Sequence, residues 1–275
     1  MPDQQKPHPF TELVRVMDTL LAPGGCPWDR EQTPQTLVPF AIEEAHELAE
    51  AIENKDVEGT KEELGDLLLQ VVFHCALAKQ SGTFTLEDVI ENICTKLIRR
   101  HPHVFGENKI ALRDADEVLK NWVQIKNKEK EKAPQKPNGF GIPISLPALQ
   151  RAQKIGDKTK SLRFDWENPQ QVFLKAEEEF SELKSALASG DRDHTKEELG
   201  DLFFVLAQFA RHLKFEAETV AREGNRKFEK RFEKLMNLTK SRNLDFTKLS
   251  SREKERLWEE IKTSENSKKN NDALK

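Results

Sequence analysis

Cysteine is scarce: Cys26, Cys75 and Cys94 are the three in 275 residues. They show no CxxC spacing and no paired pattern, which excludes a disulfide framework and implies a reduced, cytoplasmic setting. Long apolar runs are missing too. No stretch approaches the roughly 18 residues of a membrane span, and the opening MPDQQKPHPF is polar and proline-rich with no hydrophobic signal core. The expectation is a soluble chain with no membrane partner. Nor is there an excess of positive charge. With 44 Lys and Arg against 48 Asp and Glu the net charge is −4, so no basic field marks a general nucleic-acid binder. Neither GxxxxGK[ST] nor GxGxxG occurs, which excludes a glycine cradle for nucleotide phosphates. No alternating strand pattern is found and no activated Ser or Cys nucleophile is visible, which leaves an all-α chain without covalent catalysis.

What is present is a repeat. KEELGD at Lys61–Asp66 returns at Lys196–Asp201, an offset of 135 residues. The same offset carries Glu43-Glu44-Ala45-His46-Glu47 onto Glu178-Glu179-Phe180-Ser181-Glu182. Two motifs sharing one offset indicate a duplicated unit. Between the copies, NKEKEKAPQKPNGFGIPISLP combines a charge run with prolines and glycines and reads as a linker. The expected organisation is a helical domain over 8–126, a linker over 127–147, a second helical domain over 148–262 and a disordered tail over 263–275, where little is left to bury.

Within each unit the periodicity is helical. Leu37, Ala41, Ala45, Leu48 and Ile52 recur at three- and four-residue steps, as do Val172, Ala176, Phe180, Leu183 and Leu187. Asn54-Lys55-Asp56 and Ser189-Gly190-Asp191 end those helices. The next helices, from Lys61 and Lys196, are apolar nearly all round after one turn, which predicts a central position with little solvent contact. Further helices are expected around Leu86–Arg100 and Ala217–Lys240.

The acids interrupt these apolar helices in pairs. Glu44 and Glu47 are three apart and share a face, as do Glu63 and Asp66 on the following helix. Antiparallel packing across the short connection brings four carboxylates together, and the second unit repeats this with Glu179, Glu182, Glu198 and Asp201. Crowded carboxylates either take up protons or hold cations. An all-oxygen set without cysteine favours a hard ion, Mg²⁺ or Mn²⁺. Acids at a helix start also offset the macrodipole, and that explains one ELGD turn alone. It does not explain two facing pairs duplicated at one offset. Glu43-x-x-His46 has the spacing used in di-iron bundles, but Ser181 replaces the histidine in the second copy and no second ExxH exists. His46 is then a surface histidine or a support to a ligand, and Cys75 is core packing. Lys96 and Arg100, and again Lys227 and Arg231, are four apart on the helix that follows each acidic pair. Alone, each is ordinary solvated surface; repeated after each acidic site, they form a clamp for phosphate oxygens. His101-Pro102-His103 marks a helix end before the proline.

EExxE followed by ExxD on a second helix resembles the signature of the MazG-type all-α nucleoside triphosphate pyrophosphohydrolases. GGCPWD at 24–29, RRHPHVF at 99–105, SLPALQRAQKI at 145–155 and FDWEN at 164–168 are similar to further parts of tandem-domain members. The likeness runs from about Leu13 to Lys262. It implies Mg²⁺-dependent hydrolysis of nucleoside triphosphates between the α and β phosphates, giving monophosphate and pyrophosphate, in a cytoplasmic homodimer. Carried onto this sequence, it makes Glu179, Glu182, Glu198 and Asp201 metal ligands, with Glu44, Glu47, Glu63 and Asp66 their first-unit counterparts. Lys175 and Glu178 lie on the same helix turn, Glu178 orienting or deprotonating water. Lys227 and Arg231 contact the triphosphate, Trp258 lies near the nucleotide, and Lys126 reaches it from the inter-domain segment. The second unit is expected to carry most of the turnover, since after Arg100 the first runs through loops towards the linker. Two other readings compete: a non-enzymatic helical interaction module with a structural ion, and a basic-helix RNA binder, which the alternating acids weaken.

Overall fold

The computed structural model describes residues 8–106 and 140–272, together with 114, 117, 118, 121, 122, 125 and 129; side chains beyond Glu265 lie outside the description. The described residues form α-helices and one short 3₁₀ turn, with no strand among them, so the chain is all-α as expected. It divides into two compact units, Met1–Pro134 and Gln135–Lys275, and the division falls inside the expected linker.

The first unit opens with α1 (Pro9–Leu21) and the single-turn-and-a-half α2 (Pro27–Glu31). Then comes a hairpin of α3 (Pro34–Glu53) and α4 (Val57–Gln80), followed by α5 (Leu86–Arg100) and a short α6 (Pro102–Phe105). Each start is written locally. Thr33 and Thr36 form a capping box ahead of α3, Asp56 accepts from the Gly59 amide at α4, and Thr85 and Asp88 form a second box at α5. α5 ends before Pro102, as its ring requires. The second unit has α7 (Ala148–Ser161), the hairpin α8 (Pro169–Ser189) and α9 (Arg192–His212), then α10 (Ala217–Ser241) and α11 (Ser251–Asp272). Gly190 takes φ 75° at the end of α8, a conformation that favours glycine. Asp191 then caps α9 by accepting from the Asp193 and His194 amides.

Both hairpins share one seam. Leu37, Ala41, Glu44, Leu48 and Ala51 on α3 are buried or half-buried, and so are Val172, Ala176, Glu179, Leu183 and Ala186 at the same offset on α8. A glutamate therefore stands mid-seam where the sequence pattern places Ala45 or Phe180; those two face outward, as do Ile52 and Leu187. Leucine, valine and alanine share the seam with one acid, and Phe180 lies off it.

Three expectations need correcting. α4 and α9 are not shielded on all sides. Leu64 (52% exposed), Leu68 and Val71 on one, and Leu199, Phe203 (53%) and Leu206 on the other, form exposed stripes at matching positions. Each helix buries one apolar face in its own unit and leaves the other open. The tail is also not frayed from Thr263, since α11 continues to Asp272 and Glu265 is tied to α10. Past Arg100 the described residues 117, 118, 121, 122, 125 and 129 are helical rather than loop. Cys75 is buried, in a cluster with Met17, Leu21, Leu37, Val72, Phe73 and Leu86.

The second unit solves the same packing problem with polar groups. Arg211 on α9 donates to both oxygens of Asp165, at 2.5 and 3.1 Å, and from Nε to Gln208 Oε1 at 2.8 Å. His212 Nε2 lies 3.1 Å from the same aspartate. Gln208, fully buried, donates to the Ala152 carbonyl on α7 at 2.7 Å. Gly156 is required here, because a Cβ would lie 1.8 Å from Gln208 Oε1. At the matching offset the first unit has Phe73 and Ala76 in its apolar cluster.

Candidate active site

The hairpins bring the acids together as their spacing implies. Ligand oxygens of Glu44, Glu47 and Glu63 fall within 4.8 Å of one another, and so do those of Glu179, Glu182 and Glu198. In the first unit burial raises Glu44, reinforced by the charges of Asp66, Glu47 and Glu63. Burial likewise raises Glu63, with Glu47 and Asp66 adding to it. Asp66, half-buried, is thus close enough to act on the group without joining the tight trio. In the second unit burial raises Glu182, with the charges of Glu198 and Glu179 adding to it and Lys175 opposing. Asp201 is exposed and stands outside its trio. It lies one turn beyond Glu198 with a side chain one methylene shorter than glutamate.

Two nitrogen-bearing side chains, Lys175 and His194, distinguish the second site. Lys175 Nζ reaches Glu178 at 2.8 Å and Glu179 at 2.9 Å, and these bonds raise its pKa. His194 Nε2 lies 2.9 Å from Glu198 Oε1. Their first-unit counterparts are Phe40 and Gly59. The sequence analysis missed His194, although its spacing of four from Glu198 on one helix was a readable signal.

The basic residues lie on α10 and make their own contacts. Lys227 is exposed, while Arg231 Nε donates to Glu265 Oε2 at 2.7 Å. Among the described residues no ion pair joins either to the acids. Trp258 is half-buried against Leu235, Leu257 and Ile261, its ring centroid 5.2 Å from that of Phe228. It packs on the α10–α11 pair, whose core Leu257 and Ile261 form beside it. Lys126 lies outside the described residues. In the first unit, Arg100 sits over the Trp122 ring at 5.4 Å, so that unit has its own tryptophan and arginine. His46 is exposed and touches no acid of the site among the described contacts.

Comparison with known proteins agrees with this arrangement. The family model for the MazG nucleotide pyrophosphohydrolase domain matches twice, over residues 32–105 and 167–236, each match spanning one acidic hairpin. The nucleoside triphosphate pyrophosphohydrolase/pyrophosphatase MazG of Thermotoga maritima is 42% identical over 92% of this chain and 95% of its own. The nucleoside triphosphate pyrophosphohydrolase of Escherichia coli K12 is 39% identical over 92% of this chain and 97% of its own. The crystal structure of a mazG-related protein from Thermotoga maritima aligns with 42% of this chain and 98% of its own, at 30% identity and TM-score 0.37. The chain belongs to the MazG nucleotide pyrophosphohydrolase family and is an enzyme, a hydrolase, with two such domains in tandem. The reading as a non-enzymatic module falls away. No helix among the described residues is long and apolar enough to cross a membrane.

Proposed function

We propose that the chain hydrolyses nucleoside triphosphates between the α and β phosphates, releasing nucleoside monophosphate and pyrophosphate, with Mg²⁺ or Mn²⁺ held by Glu179, Glu182, Glu198 and Asp201. The observation that carries this is the three-glutamate cluster, with Glu179 buried in a helical seam where an apolar residue would otherwise pack, Glu198 half-buried and Glu182 exposed. Its donors are all oxygen, and burial together with the charges of Glu198 and Glu179 disfavours the ionised form of Glu182, so a hard cation fits them. Held by these carboxylates, such an ion would supply Lewis acidity towards a phosphate group and would lower the pKa of a bound water.

The remaining work belongs to the chain. Lys175 holds Glu178 and Glu179 in fixed relation. Glu178, the more exposed of the two, orients the attacking water and takes its proton. Arg231 and Lys227 bind the triphosphate and balance charge on the leaving pyrophosphate. Trp258 supports the helix that carries the arginine's partner. Glu44, Glu47, Glu63 and Asp66 form a second cation site in the first unit.

The matching exposed stripes on α4 and α9 support a homodimer, since helical faces this apolar are normally covered. Sedimentation at about twice the chain mass of 31.6 kDa is expected, and a monomer at micromolar concentration overturns this part.

The metal is tested by pyrophosphate release together with thermal melting. Raised carboxylates are disfavoured when ionised, so without a cation stability falls as pH rises through their range. Added Mg²⁺ at neutral pH therefore raises Tm and switches on pyrophosphate release. Activity that tracks bound iron and persists without Mg²⁺ or Mn²⁺ contradicts the assignment.

A further inference from the structure

The two units share more than their acids. Lys96 and Arg100 recur as Lys227 and Arg231, and a tryptophan followed seven residues later by glutamate recurs as well, Trp122 with Glu129 and Trp258 with Glu265. Seven residues return a side chain to nearly the same helical face. On α11 that face meets α10, where Trp258 packs on Phe228 and Glu265 meets Arg231, three residues further along. In both units the glutamate ends on the arginine, but the two contacts differ.

In the second unit Glu265 Oε2 accepts from Arg231 Nε at 2.7 Å, and its other oxygen accepts from Lys234 at 2.6 Å. Among the described contacts, both Nη groups of Arg231 are left without a partner. A guanidinium held by Nε alone keeps its two-nitrogen Nη edge, the one suited to a forked grip on phosphate. In the first unit Glu129 accepts from Arg100 Nε at 3.1 Å and from Nη2 at 2.5 Å, while Trp122 covers the guanidinium face at 5.4 Å. Arg99 shares the same carboxylate at 2.7 Å. That arginine has one fork edge and one face occupied.

We infer that Glu265 is a positioning residue, which anchors Arg231 by Nε so that its Nη edge faces the triphosphate, and that Glu129 instead holds Arg100 closed. The inference rests on the proposed contact between Arg231 and triphosphate. Both partners are about four-fifths shielded, 21% exposed for Arg231 and 19% for Glu265, so the pair is held in place rather than loosely solvated. Without the anchor, the long arginine side chain samples several rotamers and the grip on substrate weakens before the chemical step does.

The test is steady-state kinetics on the full chain with a nucleoside triphosphate and Mg²⁺. Glu265→Ala is expected to raise KM about tenfold while kcat changes by less than about twofold, as for lost positioning of a binding group. Glu265→Gln, whose amide oxygen still accepts from Nε, is expected to restore KM to within about twofold of the parent. Lys234→Ala, which leaves the arginine pair intact, is expected to leave KM unchanged. An unchanged KM in Glu265→Ala, with or without a lower Tm, makes the pair a mere clasp between helices and overturns the inference. A lowered KM overturns it too, since the carboxylate would then be competing with substrate. Arg231→Ala separates the two levels: if it leaves KM untouched, the proposed phosphate contact has failed and the inference with it. If it raises KM while Glu265→Ala does not, the positioning role alone has failed.

Discussion

Glu198→Gln is expected to lower the rate of triphosphate hydrolysis on the order of a hundredfold, while Glu63→Gln costs a few-fold at most. Loss of supporting groups around a catalytic metal commonly costs 10–100-fold, and loss of a ligand falls at the upper end. Glu198 belongs to the tight trio of the second hairpin and also holds His194. Its amide keeps shape and hydrogen-bonding capacity but loses the charge that draws a cation. The same change relieves the fold, because the charge of Glu198 is one cause of the raised Glu182. The variant should therefore melt no lower than the parent. Rate loss without stability loss is the mark of a residue placed for function. Glu63 has the same position in the first hairpin, but Arg100 there is held by Glu129 and Trp122. Comparable kcat and KM measurements on both variants decide the matter. A dead Glu63 variant beside a near-normal Glu198 variant places the active hairpin in the first unit.

Asp165→Ala should destabilise the second unit by about 3–5 kcal/mol, the range for removing one partner of a buried ion pair. Arg211 and Asp165 side chains are 7% and 12% exposed, so the guanidinium left behind has little water to turn to. His212 loses its acceptor as well, and Gln208 loses the rigid Nε–H donor that fixes its amide. A Tm drop of roughly 10 °C follows for a unit of this size. The pH dependence has a definite sign. Burial alone would raise Asp165, but hydrogen bonds from Arg211 and His212 prevail and hold it at about 2. A carboxylate depressed in the fold contributes stability that is complete above its unfolded value near 4 and is lost as pH falls towards 2. Thermal melts between pH 5 and 2 should show that loss in the parent and a flatter acid limb in the variant. Equal acid limbs would mean the pair contributes nothing net.

Local chemistry made much of this readable. Short-range signals specified the helix ends, with Asn54 and Gly190 closing α3 and α8 and Pro102 following α5, but α4 and α9 start at Val57 and Arg192, four residues ahead of the expected Lys61 and Lys196, behind the caps Asp56 and Asp191. The duplicated acids announced a site because three-residue spacing puts them on one face, and the short connection folds the two faces together. Cys75 followed from composition alone. What escaped was long-range. Arg211 and Asp165 are 46 residues apart, and Arg231 and Glu265 are 34 apart, so no periodicity links them. The seam escaped for another reason. A count of apolar residues favours Phe180, but one helical step turns a side chain to another face, and Glu179 is buried while Phe180 is not. The exposed faces of α4 and α9 were misread as buried because an all-round apolar helix does not say which neighbour covers it.

The central claim is attack by water on the α phosphorus at the glutamate cluster. Hydrolysis in ¹⁸O-labelled water, with the products separated and weighed by mass spectrometry, tests it most directly. One ¹⁸O in the nucleoside monophosphate and none in the pyrophosphate is the expected result. Label in the pyrophosphate, or formation of diphosphate with orthophosphate, would contradict it.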